Sequence, residues 1–223
     1  MQNFVRMKIL ITAATAGELS FFNNSTTLPG ETQVQKAVTG VGAMHTLYNL
    51  MQLIGQHHPN LIIQTGIAGC FTPTISIGSA VTISSETTAD MGVWEKNGYL
   101  DIFDMGFSDL DAAPYHGKQL INPHMNLLHN CGLPSVQAVT VNRITTVSAD
   151  AELFKNHYGA AVESMEGAAL HYVCLLQNIP FIQIRGISNL VGERDKSQWR
   201  IPEAMTSASN AILNLLLNLN PLP

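Results

Sequence analysis

Glu18 in "LITAATAGEL", Glu166 in "ESMEGAAL" and Asn189 in "RGISNLVG" each follow an apolar run and stand among small residues. A carboxylate accepts hydrogen bonds from hydroxyls and water, and an asparagine amide both donates and accepts. The run Met165, Glu166, Gly167, Ala168, Ala169 sets a thioether and a carboxylate ahead of three small residues. That pair offers an apolar floor beside a hydrogen-bond acceptor, the two faces a sugar needs. Each residue also has a purely structural account. The helix dipole favours carboxylates at helix N-termini, which would suffice for Glu18 and Glu166; asparagine is at home in turns, which would suffice for Asn189.

The elements that must position these residues are short β-type runs alternating with helical patterns. "KILITAA", "TQVQKAVTG", "NLIIQTG", "SAVTISSE", "VQAVTV", "ITTVS" and "PFIQIRG" read as strands. Strands that are apolar on both faces, such as "LIIQTGIAG", fit a sheet covered on each side. The alternation predicts an α/β fold, a three-layer α/β/α sandwich around a central mixed sheet. Residues 42–56 put Met44, Leu47, Leu50, Met51 and Ile54 on one helical stripe, and residues 166–178 do so with Ala169, Tyr172, Val173 and Leu176. A last helix is expected from just after Pro202 to about Leu219, and residues 86–118 read as the least regular part. Ligands gather at the carboxyl ends of strands in such sheets. Those ends hold small residues here, with Glu18 and Asn189 among them, the layout of a small-molecule pocket.

Composition narrows the partners. The 223 residues, with no linker or repeat, predict one domain over residues 1–223. At 46% hydrophobic and 12% charged, the chain has little charge to clothe its exterior, which predicts a homo-oligomer with some surface buried between subunits. A net charge of -5, with eleven dispersed Lys and Arg, argues against nucleic acid as a partner. No apolar run reaches the length of a membrane span and the first residues lack a signal-peptide plan, so no membrane and a cytoplasmic location are expected. Cys70, Cys131 and Cys174 form no CxxC pair and read as small buried hydrophobes, and the eight histidines show no ligand spacing. No metal and no cofactor are expected.

Together these segments resemble a known family. "ESMEGAALHYVCLLQNIPFIQIRGISNLVG", "MKILITAATAGEL", "VTGVGAMHT" and "IIQTGIAGCFTPTISIGSAV" are similar, in order and over nearly the whole chain, to the nucleoside phosphorylase/nucleosidase superfamily. The likeness is strongest to methylthioadenosine/S-adenosylhomocysteine nucleosidases and to futalosine hydrolases, which release hypoxanthine from futalosine. The resemblance implies that Glu18 activates the attacking water, that Glu166 binds ribose hydroxyls and that Met165 lies beneath the sugar. It places Gly66, Ile67, Ala68 and Gly69 near the ribose and nucleophile. It puts the segment 148–153, with Glu152 and Leu153, beside the base. Asn189 falls where adenine-specific members carry an aspartate that protonates purine N7.

An amide cannot be that acid. Adenine leaves poorly as an anion and gains from a proton at N7. Hypoxanthine spreads its developing charge onto O6, where a neutral amide can meet it with an N–H. Adenine would set its exocyclic amine against the same donor, at about 1–3 kcal/mol per mispaired buried group. Asn189 therefore points to a 6-oxopurine nucleoside. Of the five arginines, Arg6, Arg143, Arg185, Arg194 and Arg200, none sits in the turns of Gly17, Gly42 or Gly69 where the family's phosphate contacts belong, which favours water over phosphate as nucleophile. For the benzoate of futalosine, Phe103, Phe107, Tyr115 and Trp199 are candidate walls, within one subunit or across an interface, and Arg194 or Arg200 a candidate cation. An adenine-releasing nucleosidase and a 6-oxopurine phosphorylase remain as alternatives. A silent nucleoside-binding protein would be expected to lack Glu18 or Glu166.

Overall fold

The alternation Ile9, Leu10, Ile11 sets the layering. These residues lie in β1 (Lys8–Ala13), where Ile9 and Ile11 turn to one side of the sheet and Leu10 to the other. The computed structural model describes residues 7–22 and 32–219, so Arg6 lies outside the described residues. Along the chain follow α1 (Ala16–Ser20), β2 (Gln33–Val38), α2 (Ala43–His57), β3 (Leu61–Cys70), β4 (Ala80–Thr88), β5 (Gly92–Glu95), β6 (Gly98–Asp101), β7 (Leu120–Ile121) and α3 (Met125–Asn130). Then come β8 (Ser135–Thr140), α4 (Ser148–His157), β9 (Val162–Ser164), α5 (Gly167–Gln177), β10 (Phe181–Leu190) and α6 (Ile201–Leu217).

The sheet is mixed. β1 pairs in parallel with β2 and β3, β3 with β10, and β8 with β4 and β9, while β4 runs antiparallel to β10 and β9 antiparallel to β3. The pairings β3, β10, β4, β8, β9 and back to β3 close a ring, with β1 and β2 as an open wing. Ala68, Cys70, Val81, Ile83, Ala138, Val162 and Ile187 cluster together from these five strands.

One side of the wing carries α1, α3 and α6, whose Leu19, Leu127, Leu128 and Ile212 meet Ile9, Ile11 and Ile63. The other side carries α2 and α5, whose Leu50, Leu170 and Val173 meet Leu10 and Ile62. Burying each large aliphatic side chain contributes about 1.5–3 kcal/mol. α6 can lie on β10 because residue 186 is glycine; a Cβ there would run into the Ala204 backbone. Pro202 sits in the first turn of α6, where no helical N–H is required of it.

Three local expectations change. "ITTVS" is not a strand: residues 144–146 are loop and Ser148 opens α4. Within it the Thr145 amide is committed to Glu163 Oε1, and just before it the Asn142 and Arg143 amides are committed to Asp90 Oδ2, so these amides cannot join a ladder. The α2 stripe divides: Leu50 is fully buried, whereas Met44 is 82% exposed and Leu47 and Met51 also face outward. The buried face runs through Thr46 and Leu50 with Leu53 and Ile54 behind them. Residues 86–88 belong to β4, and the stretch from 89 to 118 holds the β5–β6 hairpin. The three cysteines are free and buried. Among the described residues, no helix is long and apolar enough to cross a membrane.

Candidate active site

Glu18 is held by the turn that follows β1. Thr15 caps α1: its hydroxyl accepts from the Glu18 amide, while the Thr15 amide and hydroxyl both donate to Glu18 Oε2 at 3.0 Å. The Ile67 amide donates to Oε1 at 3.1 Å. Three donors from two elements leave the carboxylate little freedom. The helix-terminus account and the pocket account of Glu18 are therefore both met by one geometry.

Glu166 is the N-cap residue of α5 and is 6% exposed. Its Oε1 accepts from the Gly42 amide at 3.1 Å, and its Oε2 meets Arg185 Nη1 at 3.3 Å. Gly42 opens α2 at a φ of +90°, a conformation that favours glycine. Arg185, on β10, is 1% exposed, and its Nη2 donates to Gln64 Oε1 at 2.8 Å. Gly66 makes room for this meeting. A Cβ at that position would lie 2.6 Å from Arg185 Nη1 and 2.7 Å from Glu18 Oε1, so any side chain at 66 would intrude between the guanidinium and the Glu18 carboxylate.

A buried polar cluster lies behind Glu166. Glu86 is fully buried and accepts from Thr140 Oγ1 at 2.9 Å and from Gln183 Nε2 at 2.9 Å. Thr140 Oγ1 in turn accepts from the Ala168 amide in the first turn of α5. Burial pushes the Glu86 carboxyl up to about 7, although Gln183, Arg185 and Thr140 pull it down; the Glu166 charge adds to the rise. Burial pushes His171, which bonds the Leu120 carbonyl through Nδ1, down to about 4. Gly167 is required here, because a Cβ would fall on the Glu86 carboxylate and the Gln183 amide.

Asn189 lies in β10, one residue before its end, rather than in a turn, and is 8% exposed. Its Nδ2 donates to the Leu190 carbonyl at 2.8 Å, and the Ser188 hydroxyl donates to its Oδ1 at 2.6 Å. A carbonyl can only accept, so Leu190 decides which end of the amide is nitrogen. One N–H of Nδ2 stays free for a ligand.

A cavity of about 510 Å³ joins these groups. Glu18, Ile67, Ala68, Gly69, Met165, Glu166 and Asn189 all line it, and Gly66 lies directly behind Ile67. Glu152 and Leu153 do not: Glu152 is exposed and bonded to Lys155 and Asn156, and Leu153 packs beside Phe154 and Tyr158. No residue of α4 lines the cavity, whereas Ile144, in the preceding loop, does. Of the aromatic candidates only Trp199 lines the cavity. Phe103 and Tyr115 pack edge to face at 5.1 Å, and Phe107 is 80% exposed. Arg200 pairs with Glu203 on the surface, and Arg194 lies over the Trp199 ring, so neither lines the cavity.

Sequence reading missed Arg185, Thr15 and Glu163, of which Thr15 and Glu163 also line the cavity. A lone arginine inside the apolar run "PFIQIRGIS" was the available signal for the first. Outside the cavity, Asp101, Asp104 and His157 come close enough to hold a cation, but the Lys118 ammonium already bonds Asp101 at 2.7 Å and Asp104 at 2.6 Å.

A family model described as the phosphorylase superfamily matches residues 21–219. The chain belongs to the phosphorylase superfamily. Among its relatives, the futalosine hydrolase of Streptomyces coelicolor is 30% identical over 154 residues, which are 69% of this chain and 63% of that protein, less than two thirds of its length. The futalosine hydrolase of Thermus thermophilus is 28% identical over 80% of this chain and 79% of its own. A solved structure of a futalosine hydrolase mutant from Helicobacter pylori superposes with a TM-score of 0.79 over 96% of this chain and 100% of that one. At 15% identity, this likeness shows the fold alone. The three-layer, mixed-sheet architecture of this superfamily is the one found here.

Proposed function

We propose that this chain hydrolyses the N-glycosidic bond of a 6-oxopurine nucleoside, futalosine, and releases hypoxanthine. The observation that carries the reading is Asn189, which faces one cavity with Glu18 and Glu166. Bond cleavage develops positive charge on the sugar and negative charge on the base. Glu166, anchored by Gly42 and Arg185, is placed to accept from ribose hydroxyls, with Met165 as the apolar floor. Glu18, fixed by three donors, orients and deprotonates a water on the sugar carbon. The free N–H of Asn189 meets the charge that grows toward O6 and N7.

Water rather than phosphate is favoured as nucleophile by the charges in the wall. Among the described residues, no Lys, Arg or His lines the cavity, whereas Glu18, Glu163, Glu166 and Glu193 do. Arg185 is behind the wall and already engaged by Glu166 and Gln64. The same observation favours a second reading of the 5′ side, a nucleoside with a neutral 5′ group, because the benzoate carboxylate of futalosine finds no cation in this wall. The reading also takes the protein to be a cytoplasmic homo-oligomer, supported for the oligomer by the apolar outer face of α2.

The test offers futalosine, aminofutalosine, methylthioadenosine and inosine, each with and without phosphate. Hypoxanthine is expected from futalosine at a rate that phosphate does not change, with the two 6-aminopurine nucleosides slower. Inosine outrunning futalosine would select the second reading. Release that depends on phosphate would overturn hydrolysis, and faster adenine release would overturn the base assignment.

A further inference from the structure

Asn189, Gly69 and Glu163 lie on one rung of the sheet, for Gly69 pairs with Asn189 across β3–β10 and with Glu163 across β3–β9. Directly paired residues project to the same face. Their chain neighbours Cys70 and Val162 turn the other way, into the ring of five strands. The rung therefore presents an amide, a gap and a carboxylate to the cavity, and all three residues line it. The gap is real: the nearest side-chain atoms to a Cβ built on Gly69 are Val191 Cγ2 at 3.1 Å and Asn189 Nδ2 at 3.4 Å, with nothing of Glu163 among the three nearest atoms. Two strand spacings, roughly 10 Å, separate the Asn189 and Glu163 backbones, which leaves room for a flat ring system held at both edges.

Glu163 is half committed. It is 7% exposed; its Oε1 accepts from the Thr145 amide at 3.0 Å, and its Oε2 is buried with no hydrogen-bond partner among the described residues. A buried carboxylate oxygen without a donor is costly unless a ligand supplies one.

We infer that Glu163 is a base-specificity residue, whose Oε2 accepts the N1–H of a 6-oxopurine while Asn189 meets the O6 and N7 edge. The inference rests on the 6-oxopurine reading above and deepens it. N7, O6 and N1 follow one another around the ring, so one base can span the two groups with its plane over Gly69. Adenine carries a lone pair at N1 and would set it against the carboxylate. Discrimination then comes from both ends of the rung rather than from Asn189 alone.

Calorimetric binding of hypoxanthine, 1-methylhypoxanthine and adenine to the wild type, Glu163→Ala and Glu163→Gln tests this. The wild type should bind hypoxanthine about tenfold or more above 1-methylhypoxanthine, as fits one charge-assisted hydrogen bond. Glu163→Ala should lose that preference by weakening hypoxanthine. In Glu163→Gln the amide oxygen stays on the Thr145 N–H, which preserves the loop and turns the amide nitrogen to the base. That variant should weaken hypoxanthine about tenfold and leave adenine unweakened or improved, and it carries the test if Glu163→Ala does not fold. Hypoxanthine affinity within about twofold of wild type in the folded variants would reduce Glu163 to an acceptor for Thr145 and overturn the inference alone. A wild type that prefers adenine would overturn the 6-oxopurine reading and this inference together.

Discussion

Arg185 Nη1 stands 3.3 Å from Glu166 Oε2, with the two side chains 1% and 8% exposed. A buried pair of this kind need not add net stability, but removing one partner strands the other. Without Arg185, Glu166 keeps only the Gly42 amide, and Gln64 loses the donor to its Oε1. Arg185→Ala is therefore expected to cost about 3 kcal/mol or more in unfolding free energy. Urea denaturation measures this, and a loss under about 1 kcal/mol would mean that water repairs the gap.

Glu18→Gln separates binding from turnover. The side chain keeps its length and still presents an oxygen to one set of donors, but it cannot take a proton from water. Turnover should fall by about a hundredfold or more, while hypoxanthine affinity, set at the Asn189 end of the cavity, stays near that of the wild type. Stopped assays of base release alongside calorimetry check the pair of outcomes, and near-normal turnover would remove Glu18 from its role.

Asn189→Asp should exchange one base preference for another. Aspartate offers only acceptors unless protonated, and the Leu190 carbonyl 2.8 Å from the present Nδ2 already needs a donor. Hypoxanthine release should slow on the order of tenfold to a hundredfold, and the ratio of adenine to hypoxanthine release should rise. Chromatography of the freed bases reads this ratio. An unchanged ratio would leave Asn189 as a strand-end residue that bonds only its own backbone.

What could be read from the chain was local. Glu18, Met165, Glu166 and Asn189 stood out because each follows an apolar run at a point where small residues begin, and such points are where strands of an α/β sheet hand over to ligands. The meaning of Arg185 and Glu163 depends on partners distant in sequence. Arg185 reaches Gln64 from 121 residues away, and Glu163 shares a rung with Asn189 only because β3 lies between them. Glu152 and Leu153 lie outside the cavity lining, and the β-branched run of residues 144–147 read as a strand although it is a loop whose Thr145 amide is held by a side-chain acceptor. The α2 stripe showed apolar spacing without showing which part of it packs into the core and which part stays exposed.

That stripe carries its own prediction. Val41, Met44, Leu47, Tyr48 and Met51 are exposed together on and before α2, with Met44 at 82% and Tyr48 at 63%. Exposed apolar groups gathered this way mark interaction surfaces. The protein should run as a dimer or larger by light scattering, and Met44→Glu with Tyr48→Glu should shift it toward monomer without unfolding, since neither side chain belongs to the core. A monomeric wild type would overturn the oligomer proposal.

Glu86 and His171 oppose each other in acid. Glu86 is raised from 4.5 to about 7 in the folded chain, so its contribution to stability is full below about 4.5 and is lost as pH rises to about 7. His171 is lowered from 6.5 to about 4, so its contribution is present above about 6.5 and is lost as pH falls toward 4. Between about 4.5 and 6.5 the two slopes offset one another. Glu86→Gln removes only the first, and a neutral amide can still receive the Gln183 N–H. The difference in Tm between Glu86→Gln and wild type should therefore grow more positive from pH 5 to pH 8. A few degrees are expected, since about 1 kcal/mol moves Tm by roughly 2–4 °C in a domain of this size. Groups common to both proteins cancel in that difference, so a value that does not change with pH would mean that Glu86 titrates alike in the folded and unfolded chain.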